Sequence, residues 1–329
     1  MLDKSPIASL SALRVRFAAD PASVPGARRF IADGLTSWGR TTLLDDATLC
    51  VSELAANAAL HSASTYMEIA LLALDDAVRI SVEDDGVTPA EAVVPRPDFP
   101  GSEDADELDL DDEPTTGRGL AIVSILASDW GVEKLERGKR IWAELTEAAG
   151  EHGVRPPRTS TESGFEMPAV DPAAALPEGW TVVRLPGCPV ELGLRQDQHL
   201  DELIRELQLI SADEHDLASQ QIAAELQGLL SGPAHARHMG RRLSQDAAAA
   251  GKTHIDVEMA MPREFSQDVL KLQQAVAAAD ALCEERRLLT LASSEDLRSL
   301  RAWMTESVFA QVERGEEPVS YDDWLRSNR

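Results

Sequence analysis

Two polar residues stand in the alanine-rich stretch CVSELAANAALHS (50–62): Glu53 and Asn57, at positions where a helix that only filled a core would carry leucine or alanine. Four residues on an α-helix advance about 400°, so both side chains project from nearly one face, a turn apart. Ala47, Cys50, Leu54 and Ala58 mark a neighbouring apolar face. A carboxylate beside a carboxamide supplies a general base and a hard oxygen ligand. That pair can deprotonate a hydroxyl nucleophile while holding Mg2+ against phosphates. A polar stripe on a surface helix would have the same spacing.

Two further stretches carry related chemistry. In VEDDGV (82–87) an alternating strand pattern ends in Asp84-Asp85-Gly86. A carboxylate at a strand end can accept from an exocyclic amine such as adenine N6, and Gly86 lets a ring approach the backbone. An acidic turn after a strand would look alike. In TTGRGL (115–120) two glycines open a helix. Amides of a first helical turn carry partial positive charge and receive phosphate oxygens, which makes Thr116, Gly117, Arg118, Gly119 and Leu120 a candidate phosphate cradle. An ordinary loop-to-helix turn uses glycine in the same way.

The flanking pattern supplies elements to hold these stretches. LRVRFAAD (13–20) alternates as a strand, 24–38 is a helix with Pro25 near its start, and 43–61 is the helix of Glu53 and Asn57. TYMEIALLAL (65–74) and AVRISVED (77–84) are strands about Asp75-Asp76, 117–130 is an amphipathic helix, and 132–147 closes as a hairpin at Gly138-Lys139. Segment 95–119 has nine acidic residues and no basic one between Asp98 and Glu113, which reads as a solvated loop. Helices mixed with mostly antiparallel strands predict an α+β sandwich, not a βαβ winding.

A chain of 329 residues exceeds one ordinary domain. Segment 148–178, with five prolines and no sustained periodicity, reads as a linker. The expected organisation is therefore a domain over 1–147, a linker, and a mainly α-helical domain over 179–329. That second half opens with strand-like residues 180–195 about Pro186-Gly187 and has an extended stretch at 253–262. Its candidate helices are 196–210, 215–231, 234–250, 264–287 and 293–314. The amphipathic run 265–289 fills a bundle core or forms a homodimer surface. Trp180, Trp303 and Trp324 are expected in that core. His235 and His238 share a helix face without Cys or acidic companions, which predicts a solvated face and no metal site. GKT at 251–253 has Asp246 where a phosphate-binding loop needs glycine, and reads as a helix C-cap.

The 57 acidic against 31 basic residues, a formal charge of -26, repel nucleic-acid backbones and anionic membranes. Three scattered cysteines have no metal-ligand spacing and are too few for a disulfide framework. Neither a basic-then-apolar leader nor a run of about 18 apolar residues occurs. The expectation is a cytoplasmic protein that binds neither nucleic acid nor membrane.

Taken in order, Glu-x-x-x-Asn on a helix, Asp-x-Gly after a strand, a long loop and Gly-x-Gly-Leu opening a helix resemble the N, G1 and G2 boxes of the GHKL ATPase superfamily. WGRTTLLDDATLCVSELAANAALHS, TTGRGLAIVSILASDWGV and GKRIWAEL are similar to the actinobacterial anti-sigma-factor serine kinases of the RsbW/SpoIIAB type, over about residues 10–147. The resemblance implies a Bergerat-type ATP-binding sandwich with ATP and Mg2+ as cofactors. It implies that Asn57 ligates Mg2+, and that Glu53 is general base toward a serine hydroxyl or orients it. It further implies that Asp84 binds the adenine amine while Gly86 clears space for the ring. Gly117, Arg118 and Gly119 would then face the phosphates, Thr116 and Leu120 beside them, with 96–116 as the ATP lid. Thr88 stands where the usual pattern has another glycine, and the lid is unusually long and acidic. Its nine carboxylates would repel a triphosphate unless Mg2+ or a partner's basic surface compensates. Two functions follow from the resemblance. One is a kinase that phosphorylates a STAS-type anti-anti-sigma partner and sequesters a sigma factor. The other is a nucleotide-responsive protein-binding switch without phosphotransfer, its helical second half carrying the partner.

Overall fold

A computed structural model of the chain describes residues 11–86, 116–147, 156–160, 175–211 and 234–328, with Ala224 and Leu229 as single positions. Two units are present, Met1–Glu178 and Gly179–Arg329. In the first, alternating apolar residues bury one face of each strand. β1 (Ala12–Ala18), β2 (Tyr66–Ala73), β3 (Ala77–Asp84), β4 (Asp129–Lys134), β5 (Lys139–Thr146) and β6 (Arg158–Ser160) form one sheet in the order β1-β2-β3-β5-β4-β6. Every pairing is antiparallel except that of β4 with β6.

The register stacks side chains into rows across the strands. Leu13, Leu71, Ile80, Ala143 and Trp130 make one buried row, and Val15, Ile69, Val82, Ile141 and Val132 the next. A third row starts apolar with Phe17 and Met67 and then turns charged at Asp84 and Lys139, which are nonetheless 2% and 0% exposed. On the opposite face, Arg140 bridges Glu83 and Glu133 at 2.9 Å each, Arg14 pairs with Glu68, and Arg79 lies over the Trp142 ring.

Helices α1 (Val24–Ser37), α2 (Leu44–His61) and α3 (Thr116–Leu126) complete the first unit. Gly34 lets α1 settle on the apolar rows, since a Cβ there would come within 2.8 Å of both Leu13 and Leu71. The helix α2 packs on α1, α3, β3 and β5. The helix read from sequence over 117–130 stops at Leu126, because Asp129 and Trp130 are drawn into β4. Trp130 pairs with Ala143 and is buried in the first apolar row, a tertiary demand that overrides the helical pattern. Within 148–178, β6 joins the sheet and the Ala175 carbonyl accepts from Arg14 N at 2.6 Å.

The second unit is built on an antiparallel ribbon of β7 (Trp180–Pro189) and β8 (His254–Pro262), irregular between Leu185 and Cys188. Around it lie α4 (Val190–Ser211), α5 (Ala234–Ala249), α6 (Phe265–Glu284), α7 (Glu295–Arg314) and α8 (Tyr321–Ser327). The mainly helical second half thus follows an α+β first half, as the sequence predicts. Val183, Leu185, Met261, Phe265 and Trp303 centre one core, and Trp180 is buried with Trp324 half-buried at its edge. Leu203, Leu207, Val276 and Ala279 centre another. A polar clasp ties α4, α6 and α7: Asp280 accepts from Ser293 N and Oγ at 2.8 Å each and from Arg301 Nη2 at 2.9 Å. Burial pushes the Asp280 carboxyl up, but these bonds, His199 and the Arg301 charge outweigh it and hold the group below its ordinary value. Ser293 Oγ and Asp280 Oδ1 both meet His199 at Nε2, so the three cannot form a nucleophile relay, which needs both ring nitrogens.

The solvated face expected for His235 is a correction. His235 is 3% exposed, its Nε2 lies 3.2 Å from the Ala260 carbonyl, and its ring tilts against Trp180 and Phe265. It faces inward because α5 packs on β8. Gly251 has φ 70° and closes α5 with bonds to Ala248 and from Lys252 to Ala247, the C-cap read from sequence. Among the described residues no group of His, Cys, Asp and Glu could hold a metal ion by itself, and no helix is long and apolar enough to cross a membrane. The expected helix over 215–231, apart from Ala224 and Leu229, and the acidic loop up to residue 115 lie outside the described residues.

Candidate functional site

The helix α2 is the spine of the site. Asp45 and Asp46 in its first turn and His61 in its last complement the helix dipole, and Ala47, Cys50, Val51, Leu54, Ala55 and Ala58 hold it in the core. Burial pushes the Cys50 thiol up to about 12, with the Asp46 and Glu53 charges adding to the effect. Asn57 sits among these apolar residues at 7% exposure, and its Oδ1 has no hydrogen-bond partner. An unsatisfied buried acceptor costs about 1–3 kcal/mol. A leucine there would avoid that cost, so the helix retains an oxygen that its own fold does not use.

One turn earlier on the same face, Glu53 is half-buried and reaches the start of α3. A Cβ on Gly119 would lie 2.5 Å from Glu53 Oε2. With glycine at 119 the first turn of α3 lies against that carboxylate as it stands; a larger residue would push the end of the Glu53 side chain aside.

The far end of α2 meets the end of β3. A Cβ on Gly86 would fall 1.8 Å from the Ser62 carbonyl oxygen, so glycine at 86 is demanded by the chain leaving α2. Gly86 N donates to Asp84 Oδ1 at 3.1 Å, and Lys139 Nζ lies 2.9 Å from Oδ2 and 3.2 Å from Oδ1. Gly138, at φ 82°, rides directly over the Asp84 carbonyl, where a Cβ would come within 1.7 Å. An ionised carboxylate offers about four acceptor positions, so these three contacts leave about one. The neighbouring Asp85 is exposed, and its carboxyl is held below the ordinary carboxylate range chiefly by the Ser64 hydroxyl. Of the two aspartates, Asp84 lies inside and Asp85 outside.

From Glu53 to Ser62 the helix rises about 13 Å. The Glu53–Gly119 contact marks one end of this span, the Ser62–Gly86 contact the other, and Asn57 lies between them. The structure thus gathers Glu53, Asn57, Asp84, Gly86 and Gly119 along one helix. Leu120 is buried at 1% and packs into the core beneath α3. Thr116, Gly117 and Arg118 belong to α3, but the side chains of Thr116 and Arg118 lie outside the described residues, as do Thr88 and the lid to residue 115. Sequence reasoning missed Lys139. Its signal was available: Lys139 shares strand parity with Ile141, Ala143 and Leu145, so a lysine stands on the buried face.

The orphaned Asn57 oxygen beside the Glu53 carboxylate suits a hard cation such as Mg2+, which takes oxygen ligands and keeps several waters. Residues 17–145 match the family model of the histidine kinase-like ATPase domain. Glu53, Asn57, Asp84 and Gly119 all lie within the matched residues, and GHKL-type ATPase domains in general bind ATP with Mg2+. No curated protein matches the chain.

Proposed function

We propose that the chain is a cytoplasmic Mg-ATP-dependent serine/threonine kinase of the anti-sigma type. It phosphorylates a STAS-type anti-anti-sigma partner and holds a sigma factor when that partner is phosphorylated or absent. The observation that carries this reading is the placement of the Glu53 carboxylate against Gly119, which sets a proton acceptor beside a helix start suited to phosphates. Asp84 receives the adenine amine on its remaining lone pair. The amides of Gly117 to Gly119 meet the phosphate oxygens, and Asn57 Oδ1 holds Mg2+. When bound, the ion supplies neutralising charge on the triphosphate. Glu53 accepts the proton of the partner's serine hydroxyl as that oxygen bonds to the γ-phosphorus; the bond from this phosphorus to the β–γ bridging oxygen breaks and ADP leaves.

A second reading has its own observation. Lys139 occupies both oxygens of Asp84, which favours a weakly binding nucleotide switch whose helical second unit carries the protein partner. Calorimetric titration with Mg-ATP, followed by incubation with a STAS-domain protein, separates the two. Phosphotransfer that is lost in Glu53→Gln while Mg-ATP binding persists supports the kinase. Binding without transfer in the wild type supports the switch, and no binding at all overturns both.

A further inference from the structure

The second unit contains a cavity of about 180 Å³ between the β7–β8 ribbon and helices α4 to α7. Its position in the interior of a helical unit would ordinarily be filled by side chains, because protein cores pack as densely as organic crystals. One glycine leaves it open: Gly240 on α5 lines it, and a Cβ there would meet nothing within 4 Å. Gly193 on α4 also lines it, but a Cβ there would come 3.3 Å from Ser244 Oγ, so that glycine answers the approach of α4 to α5. Glycine in a helix interior costs about 1 kcal/mol against alanine, so the open space is not explained by helix stability.

The walls are apolar and adaptable. Three of the chain's seven methionines, Met259, Met261 and Met304, face the space beside Val257 and Val276. Unbranched thioether side chains remodel around ligands of different outline. Among the polar residues on the wall the carboxylate of Asp197 is taken up by Arg237 and Arg241, and donors predominate. Arg301 is a donor only, and Gln196 has its carbonyl engaged by Arg301 Nη1 at 3.0 Å, which leaves its NH2 to donate. Ser244 and Thr305 add hydroxyls.

Charge on the wall is balanced. Arg301 pairs with Asp280 at 2.9 Å, and Arg237 and Arg241 pair with Asp197 and Asp201. The side chains of Arg237 and Arg241 keep 20% and 28% exposure, so this side of the cavity reaches solvent and gives a way in. An engineered apolar cavity of about 150 Å³ takes benzene, and drug-sized ligands need about 300 Å³ or more.

We infer that the second unit is a receptor for a small neutral molecule with an apolar body of about one ring and a single acceptor oxygen. The site is separate from the nucleotide pocket, and the inference does not depend on the function proposed for the first unit. In this arrangement the ligand's oxygen meets the donors of Gln196, Thr305 and Ser244 while its body lies among the methionines.

The test uses the full chain with three probes, acetophenone, ethylbenzene and benzoate, followed by calorimetry and ligand-observed NMR. Acetophenone binds saturably, about threefold to tenfold more tightly than ethylbenzene, the return expected for one net hydrogen bond. Gly240→Leu fills the space and weakens acetophenone at least tenfold, while its melting temperature holds or rises and Mg-ATP binding stays unchanged. Thr305→Val combined with Ser244→Ala brings acetophenone down to ethylbenzene. Acetophenone that fails to bind, or that binds Gly240→Leu as well as wild type, overturns the site. Benzoate binding more tightly than acetophenone overturns the neutral ligand.

Discussion

Replacing Lys139 with methionine keeps the length of the side chain and removes its charge, leaving the Asp84 carboxylate at 2% exposure with the Gly86 amide still donating to it. Deleting one partner of a buried ion pair costs about 3–5 kcal/mol, because the other charge stays behind without compensation. That corresponds to roughly a hundred- to several-thousandfold in the unfolding equilibrium. For a unit of this size it lowers the melting temperature by about 6–20 °C. Thermal melting gives the total, and hydrogen exchange localises it, with the amides of β3 and β5 losing protection while those of α7 in the second unit serve as an internal reference. Adding Asp84→Leu to Lys139→Met recovers most of the loss, since an apolar pair can replace a buried ionic one at little cost. A loss below about 1 kcal/mol is the size seen for exposed pairs and would refute the description of Asp84 and Lys139 as a buried ion pair.

Three further outcomes follow from the site and the cores. Asn57→Leu removes the orphaned oxygen, so the unliganded protein melts at the same temperature or a few degrees higher while the Mg-ATP-induced shift disappears in scanning fluorimetry. Gly119→Ala drives a methyl group toward Glu53 Oε2, the far end of a flexible side chain, so stability changes by less than about 1 kcal/mol while phosphotransfer falls more than Mg-ATP affinity in parallel kinetic and binding assays. The thiols of Cys50, Cys188 and Cys283, pushed by burial to about 12, 11 and 11 from 9.0, stay unreactive toward a disulfide reagent at pH 8 until denaturant is added. Their raised values contribute stability that is complete below pH 9.0 and is lost as pH climbs toward 11–12, because the unfolded thiols ionise first; alkaline denaturation measured across that window checks the sign.

Much of the first unit was legible because strand parity and helix period both write burial directly into the residue order. The alternation in Leu13, Val15 and Phe17, and again in Val78, Ile80 and Val82, defines the covered face of the sheet without any knowledge of partners. The charged end of the third row was not legible, since reading Lys139 as a turn residue ignored its parity with Ile141. Boundaries failed where a neighbour decided them. The helix α4 starts at Val190, not 196, directly after Pro189 leaves the ribbon, and α8 was missed although Ser320 caps it and Asp322 and Asp323 occupy its first turn. His235 was misread because a helix face carrying histidines says nothing about which strand lies over it. The cavity was invisible for a related reason: apolar spacing announces that a position is inside, not that its neighbours fill the space in front of it.

A six-stranded sheet has two free margins, and residues from the proline-rich stretch after β5 lie at both. Arg158 to Ser160 line up beside Gly131 to Glu133 at one, and Ala175 bonds Arg14 at the other. A fragment trimmed at residue 147 would contain everything the ATPase family match covers, yet it would strip β4 of its outer neighbour β6 and present unpaired amides and carbonyls to any other chain. The unit that carries the ATPase family match extends to Glu178, and a preparation cut shorter should be judged first by whether it stays monodisperse.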